Sequence, residues 1–289
     1  MQNRPLFVLS FAFMLLLAGC ATGSGRRIEV PLHEKPVPWT SLDLNNDPNK
    51  FHFAIVSDRT GGERPGVFQS AMGKINLLQP EFVMSIGDLT EGHKTDVAEM
   101  NRQWGEFKGI VGVLEMPFFL VPGNHDIRTD AMAEEWRRHW GPSYYHFRYR
   151  DVLFLCLNTE DPPPTHMSDA QIAYMKKALD DNADARWTLV FMHKPLWGIE
   201  DDSGWPKLEE LLKGRPHTVF AGHWHNYKKY ERHGHKYFVF ATTGGSSKMR
   251  GIEHGEFDEV VWVTMTDKGP RIANLMLDGI LDEDLGLAK

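Results

Sequence analysis

The chain has 289 residues, 42% hydrophobic, 25% charged and 11% aromatic, the balance of a globular protein that buries one large α/β core or two small ones. Its net charge of −7 provides no broad basic face for a phosphate backbone, so nucleic acid is not an expected partner. No run of like charge is long enough to form a charged tail.

In chain order, residues 6–18 (LFVLSFAFMLLLA) follow Arg4, are almost wholly apolar and are too short to span a bilayer comfortably, which reads as a targeting segment. They run into Leu17-Ala18-Gly19-Cys20, which resembles a bacterial lipobox. That resemblance implies that Cys20 becomes the lipidated first residue of the mature protein. An ordinary secretory signal with a chance cysteine is the plainer alternative. Ala21, rather than Asp, after Cys20 implies the outer membrane or periplasm rather than the inner membrane. Loss of residues 1–19 removes one cation, Arg4, and takes the net charge from −7 to −8. On this reading residues 1–20 are a lipoprotein signal, 21–50 a linker rich in Gly, Pro and Asn, and 51–289 a single domain held outside the cytoplasm by a lipid anchor.

From Phe51 onward, apolar strands alternate with amphipathic helices. The pattern predicts strands over 51–57, 82–86, 117–121, 145–150, 152–158, 187–193, 217–221, 236–242, 257–266 and 271–277. It predicts helices over 66–78, 96–113, 130–140, 169–181 and 204–213, the fourth opened by Ser168 as cap with Gln171 at the capping-box position. A βαβα first half and a strand-rich last third point to a mixed sheet, or two packed sheets, with helices outside. Cys156 lies in the apolar run VLFLCLN and reads as a core residue.

Five of these strands end in polar turns: Asp58 in VSDRTGG, Asp88 in SIGDLTEG, Asn124-His125-Asp126 in VPGNHD, His193 in VFMHKP, and His223 with His225 in FAGHWHN. Singly, such residues more often satisfy backbone groups. Together they lie beyond the carboxyl ends of strands, where α/β proteins collect their functional groups. Carboxylates, an amide oxygen and imidazoles form a ligand set for Mn, Fe or Zn rather than the all-oxygen set of Ca.

The order Asp, GD, GNHD, His, GHWH resembles the calcineurin-like metallophosphoesterase superfamily, whose motifs run D-x-H, G-D-x-x, G-N-H-D/E, H and G-H-x-H. The resemblance covers residues 51–226. It implies an α/β fold, a two-sheet mixed β-sandwich flanked by helices, with a site for two divalent metal ions that hydrolyses a small phosphoric ester. Carried over by position, it implies that Asp88 bridges the metals, that Asp58 and His225 hold the first, and that Asn124, His193 and His223 hold the second. His125 is then no ligand but the group that contacts the scissile phosphate and protonates the leaving oxygen, a task that suits an imidazole.

One position departs from the pattern. Thr60 stands where the first motif carries its histidine, a ligand of the first metal. Three readings are open. Glu91, three residues after Asp88, replaces the missing ligand, much as purple acid phosphatases place a metal-bound tyrosine there, with His93 a more remote candidate. Alternatively, Glu91 buttresses His125. Or the first metal site is weak or empty, giving a one-metal enzyme or a non-catalytic phosphate-ligand-binding protein. Arg59 is a candidate phosphate clamp or a solvent-facing loop residue, and Trp197, Trp205 and Trp224 read as core or rim, with substrate stacking the alternative. His217, His233, His235 and His254 lack ligand spacing. The small-residue loop 241–247 reads as a turn or as a border of the site. Substrate and oligomeric state leave no trace in the sequence.

Overall fold

In the computed structural model the described residues are 28, 36–92, 95–199 and 201–280, so Cys20 and His93 lie outside them. The chain divides into two units at Pro48 and Asn49. The first shows no helix or strand among its described residues, and the second carries the fold.

The elements run β1 (Phe51–Val56), α1 (Val67–Leu78), β2 (Val83–Ser85), α2 (Val97–Val111), β3 (Phe118–Phe119), α3 (Asn124–Ile127), α4 (Asp130–Trp140), β4 (Tyr145–Tyr149) and β5 (Val152–Cys156). They continue α5 (Asp169–Asp181), β6 (Trp187–Phe191), α6 (Trp205–Leu212), β7 (His217–Ala221), β8 (Lys228–Arg232), β9 (His235–Val239), β10 (Glu259–Thr266) and β11 (Gly269–Met276). One sheet has the order β11-β10-β1-β2-β3, the other β4-β5-β6-β7-β9-β8. Within them β1-β2-β3 and β5-β6-β7-β9 are parallel, and the outer pairings are antiparallel. The fold is thus α/β, with two mixed sheets flanked by helices.

The period of two along a strand explains the layering. In β1, Phe51, Phe53 and Ile55 face the interior between the sheets, and Ala54 and Val56 face the helices, so the strand is apolar on both sides. In β5, Val152, Phe154 and Cys156 meet that same interior, while Leu153 and Leu155 turn outward. Helix α1 contributes Phe68, Met72 and Ile75 over the first sheet, beside Trp104 and Phe107 of α2 and Trp136 of α4. Met175 and Leu179 of α5 and Leu208 and Leu212 of α6 cover the second. Cys156 is fully buried, and burial pushes its thiol up to about 12, which makes it an inert core residue.

Three details differ from the sequence reading. Strand β8 has no predicted counterpart because Lys228-Lys229-Tyr230-Glu231-Arg232 is a charged, largely exposed edge with no apolar alternation. The segment 117–121 shrinks to the two residues of β3, and the turn after it winds into α3. Ser168 does cap α5, accepting from the Gln171 N–H at 3.2 Å. The Gln171 side chain, however, does not reach back to close a capping box. It is buried against β5, accepting from the Asn158 N–H and donating to the Asn158 carbonyl, both at 2.9 Å.

Candidate metal centre

The turns after β1, β2, β6 and β7 and the helical turn α3 deliver their polar groups to one place. Asp88 Oδ2 lies 3.2 Å from His193 Nε2 and 4.0 Å from His125 Nε2. His193 Nε2 is also 3.1 Å from both Asn124 Oδ1 and His223 Nδ1. On the other side of Asp88, His225 Nε2 is 3.3 Å from Asp58 Oδ1. The residues that could hold a cation fall into two groups, Asp88-His193-His223 and Asp58-Asp88-His225, and Asp88 belongs to both.

The backbone is bent to achieve this. Asp58 (φ 28°), Asp88 (φ 56°), His223 (φ 73°) and His225 (φ 50°) all occupy positive φ, a region that costs non-glycine residues of order 1–3 kcal/mol each and collects at functional sites. Close approach explains two of the motif glycines. A Cβ on Gly87, itself at φ 100°, would lie 2.7 Å from His193 Nδ1. One on Gly222 would run into the Asp58 carboxylate.

Hydrogen bonds set the tautomers. His193 Nδ1 donates to the Ile86 carbonyl at 2.9 Å, and His225 Nδ1 to the Ser246 carbonyl at 2.6 Å. Each ring therefore turns a lone pair on Nε2 toward the carboxylates, the arrangement by which ligand histidines are held. His125 Nδ1 likewise meets the Glu91 carbonyl at 2.8 Å, and its Nε2 faces Asp88. The carboxylates are anchored too: Asp88 Oδ1 accepts from the His125 N–H, and Asp58 Oδ1 from the His223 N–H, each at 2.9 Å.

The charge this pocket asks for is positive. Burial alone would raise the Asp88 carboxyl, but the His193 ring against it outweighs burial and holds it well below the usual range. Burial would lower His193, yet Asp88 and then Asp58 lift it to about 9. Burial and the neighbouring His193 push His223 down to about 4. Asp58 lifts His225 against its burial. The two carboxylates thus favour a positive charge among these rings, which a bound cation would supply.

Thr60 does not face this cluster. It is buried, its hydroxyl lies 2.7 Å from the Thr90 carbonyl and 3.0 Å from that of Asp88, and its N–H donates to the Asp88 carbonyl at 3.1 Å. It clasps the GD loop from behind. Glu91 belongs to neither cation-holding group; its carboxylate accepts from the Gly62 N–H at 3.1 Å and the Glu63 N–H at 2.6 Å. Its link to His125 runs through its main-chain carbonyl, while its carboxylate stays 3.9 Å from His125 Nδ1. Arg59, read from the sequence as a phosphate clamp, is buried and engaged by the Leu89 carbonyl at 2.8 Å, Glu63 at 3.0 Å and Glu106 at 2.5 Å. It serves as an internal tie because those carboxylates already take its charge.

Sequence reasoning passed over three supports. Asp126 accepts from the Leu89 N–H (2.9 Å), the Thr90 N–H (3.0 Å) and the Gly123 N–H (2.8 Å), fastening GD to GNHD; burial and the Asp88 charge push it up to about 6. Thr242 Oγ1 donates to the Asp58 carbonyl at 2.8 Å, so loop 241–247 borders the site. Burial pushes Glu259, beneath that loop, up to about 8, and its carboxyl accepts from the Ala241 N–H at 2.8 Å. Only Asp126, inside GNHD, carries a local signal. Trp197 and Trp205 lie in the core under the second sheet, whereas Trp224 is 38% exposed. His217 stacks on His235, and neither they nor His233 and His254 join the cation-holding groups.

Known proteins share this architecture. The human serine/threonine-protein phosphatase CPPED1 is 29% identical over 182 residues, 54% of this chain and 58% of that protein. The "Probable glycerophosphodiester phosphodiesterase GpdQ" of Arcobacter nitrofigilis is 27% identical over 170 residues, 52% of this chain and 59% of its own length. The chain therefore spans less than two thirds of these relatives. Among solved structures, the purple acid phosphatase PPD1 of Lupinus luteus superposes with a TM-score of 0.62 at 14% identity, over 80% of this chain and 52% of that one. GAP50 of Plasmodium does so with a TM-score of 0.62 at 16% identity, over 80% and 86%. At such identities these two show the fold alone. A family model for calcineurin-like phosphoesterases matches residues 51–227, more than half of the chain, and the protein belongs to the calcineurin-like phosphoesterase family.

Proposed function

We propose that the chain hydrolyses a small phosphoric ester at a centre of two divalent metal ions, outside the cytoplasm and anchored by lipid at Cys20. The observation that carries this reading is that Asp88 is common to two groups able to hold a cation. The donor set fits: His193 Nε2, Asn124 Oδ1, His223 Nδ1 and Asp88 Oδ2 converge, and each offers a lone pair when the rings carry no proton there. Asp58, Asp88 and His225 would hold one ion, and Asp88, Asn124, His193 and His223 the other. Imidazole, amide and carboxylate ligands suit Mn, Fe or Zn. Bound there, two divalent ions supply a nucleophile at neutral pH and offset the charge of the phosphoryl oxygens.

The chain's own part is to position and to move a proton. The GNHD turn sets the His125 ring, and the Glu91 carbonyl fixes Nδ1 as donor, so Nε2 faces the site. With the ring as imidazolium, the Nε2 proton passes to the ester oxygen as the P–O bond to the alcohol breaks; the oxygen of water forms the new P–O bond, and the proton water gives up returns to Nε2. The names of the relatives, a phosphatase and a phosphodiesterase, support the reaction class, and the LAGC sequence at 17–20 supports the location.

The test combines metal content with turnover of generic mono- and diesters in the presence of Mn, Fe or Zn. Two metal ions per chain and hydrolysis that disappears with Asp88→Asn are expected; no turnover with any of these metals would sink the enzyme reading. Radiolabelled palmitate incorporated by the wild type but not by Cys20→Ala tests the anchor. A second reading, a one-metal binder without turnover, is favoured by the side chain of Thr60 facing away and the Glu91 carboxylate being engaged on backbone. Those placements leave the Asp58 group with three side chains. One tightly held ion per chain with no hydrolysis would establish it.

A further inference from the structure

The chain that leaves the metal centre at His125 runs on into the wall of a cavity of about 1020 Å³, at the upper end of the range for small-molecule sites. One wall is the chain running on from His125, including Arg128 and Thr129; the opposite wall is the segment after β5, including Asn158 and Glu160. That second wall is tied to the centre, because Thr159 Oγ1 accepts from the N–H of Lys194, which follows His193, at 3.2 Å, and Lys194 Nζ pairs with Glu160 at 2.5 Å. The lining is mixed, with Asp130 and Asp161 among its carboxylates and two tyrosines among its rings. Tyr144 and Tyr174 meet edge to face at 5.4 Å between ring centroids, beside Pro142, Pro162 and Pro164.

Arg128 lines the cavity three residues after His125. It has helical dihedrals (φ −63°, ψ −29°) at the end of α3, so it follows Asn124 by four residues and His125 by three on one face of that turn. Side chains on a helical turn lean toward its N-terminus, here toward the metal-centre residues. Its guanidinium is exposed and has no ion-pair or hydrogen-bond partner among the described residues, unlike Arg59 and Arg137, which are paired.

We infer that this cavity receives the alcohol half of the substrate, a ring-bearing small organic alcohol stacked on Tyr144 and Tyr174, while Arg128 binds a free oxygen of the same phosphate. A guanidinium matches a phosphate with two parallel hydrogen bonds, and aromatic faces accept a flat ring. The substrate class is then an aryl or nucleoside-like phosphoester rather than a phosphoprotein. This inference rests on the phosphoester reading above and sharpens it.

The test compares phenyl phosphate, glycerol 3-phosphate and a phosphoserine peptide as substrates of the full-length wild type and of Arg128→Ala, Arg128→Lys and Tyr144→Ala. Arg128→Ala is expected to raise KM for phenyl phosphate about 10-fold or more with a much smaller change in kcat, since a charge-assisted pair is lost from binding. Arg128→Lys restores only part, because the planar fork is missing. Tyr144→Ala erases the preference for phenyl over glycerol phosphate. Saturation-transfer NMR with phenylphosphonate, which is not hydrolysed, reads the same site without turnover. A saturation-transfer signal present in the wild type and abolished by Tyr144→Ala upholds the cavity even if the wild type hydrolyses nothing. Hydrolysis with an unaltered KM in Arg128→Ala and an unaltered phenyl-to-glycerol ratio in Tyr144→Ala overturns the cavity while the hydrolase reading stands. A phosphoserine peptide preferred over phenyl phosphate also overturns it.

Discussion

Each side chain at the centre has its job set by what else it touches. Asp88 anchors the His125 backbone with one oxygen and faces His193 with the other. Its replacement by Asn should therefore remove the carboxylate common to the two groups that could hold a cation; under the proposed function a loss of about 10³-fold or more in kcat/KM is expected, together with loss of metal in equilibrium dialysis. His125→Ala is expected to cost ~10²–10⁴-fold, the usual worth of a positioned general acid. The cost should be larger for an alkyl ester than for a nitrophenyl ester, whose leaving group needs no proton; equal losses would count against a proton-donor role. Thr60 illustrates the opposite case. Its hydroxyl is buried against the Asp88 and Thr90 carbonyls, so Thr60→Val should lower stability by about 1–3 kcal/mol in urea unfolding.

The elements are held by their inner faces. Phe154 of β5 lies 5.5 Å from Phe53, 5.6 Å from Phe82, 4.5 Å from Phe147 and 5.9 Å from Phe191, measured between ring centroids, and so joins both sheets. Phe154→Ala should cost about 3–5 kcal/mol in denaturant unfolding. Glu259 opens β10 as a buried acid whose folded pKa is about 8, above the ordinary 4.5. Because the folded state keeps this proton longer than the unfolded chain, the contribution is complete below pH ~4.5 and is lost as pH rises toward ~8. Urea midpoints at pH 5 and pH 8 should consequently differ more for the wild type than for Glu259→Gln. The β-strands of the core were legible because Phe, Val, Ile and Leu run through them, and α4 and α5 because cap and amphipathic stripe coincide. The charged β8 and the helical turn α3 were not, since only pairing with β9 and contact with Asp88 define them.

At the scale of the molecule, the centre is where two sheets meet. Asp58 and Asp88 come from the first, His193, His223 and His225 from the second. A metal bound to both should tighten the whole fold. At 100-fold excess over Kd, binding contributes about 2.7 kcal/mol, or roughly 5–10 °C in Tm for a domain of this size. Calorimetry with and without a chelator checks this, and an unchanged Tm would argue against ligands drawn from both sheets.

The sequence by itself determined the alternation of strands and helices, the five polar strand-end turns and the departure at Thr60. Those are local matters, readable from period, residue type and spacing. Only the tertiary structure decided that Arg59 and the Glu91 carboxylate are occupied elsewhere, and that Arg128 is the guanidinium beside an open cavity. Residue type says what a side chain can bind, but its partners depend on chain segments tens to hundreds of residues away, brought together only by the packing of two sheets.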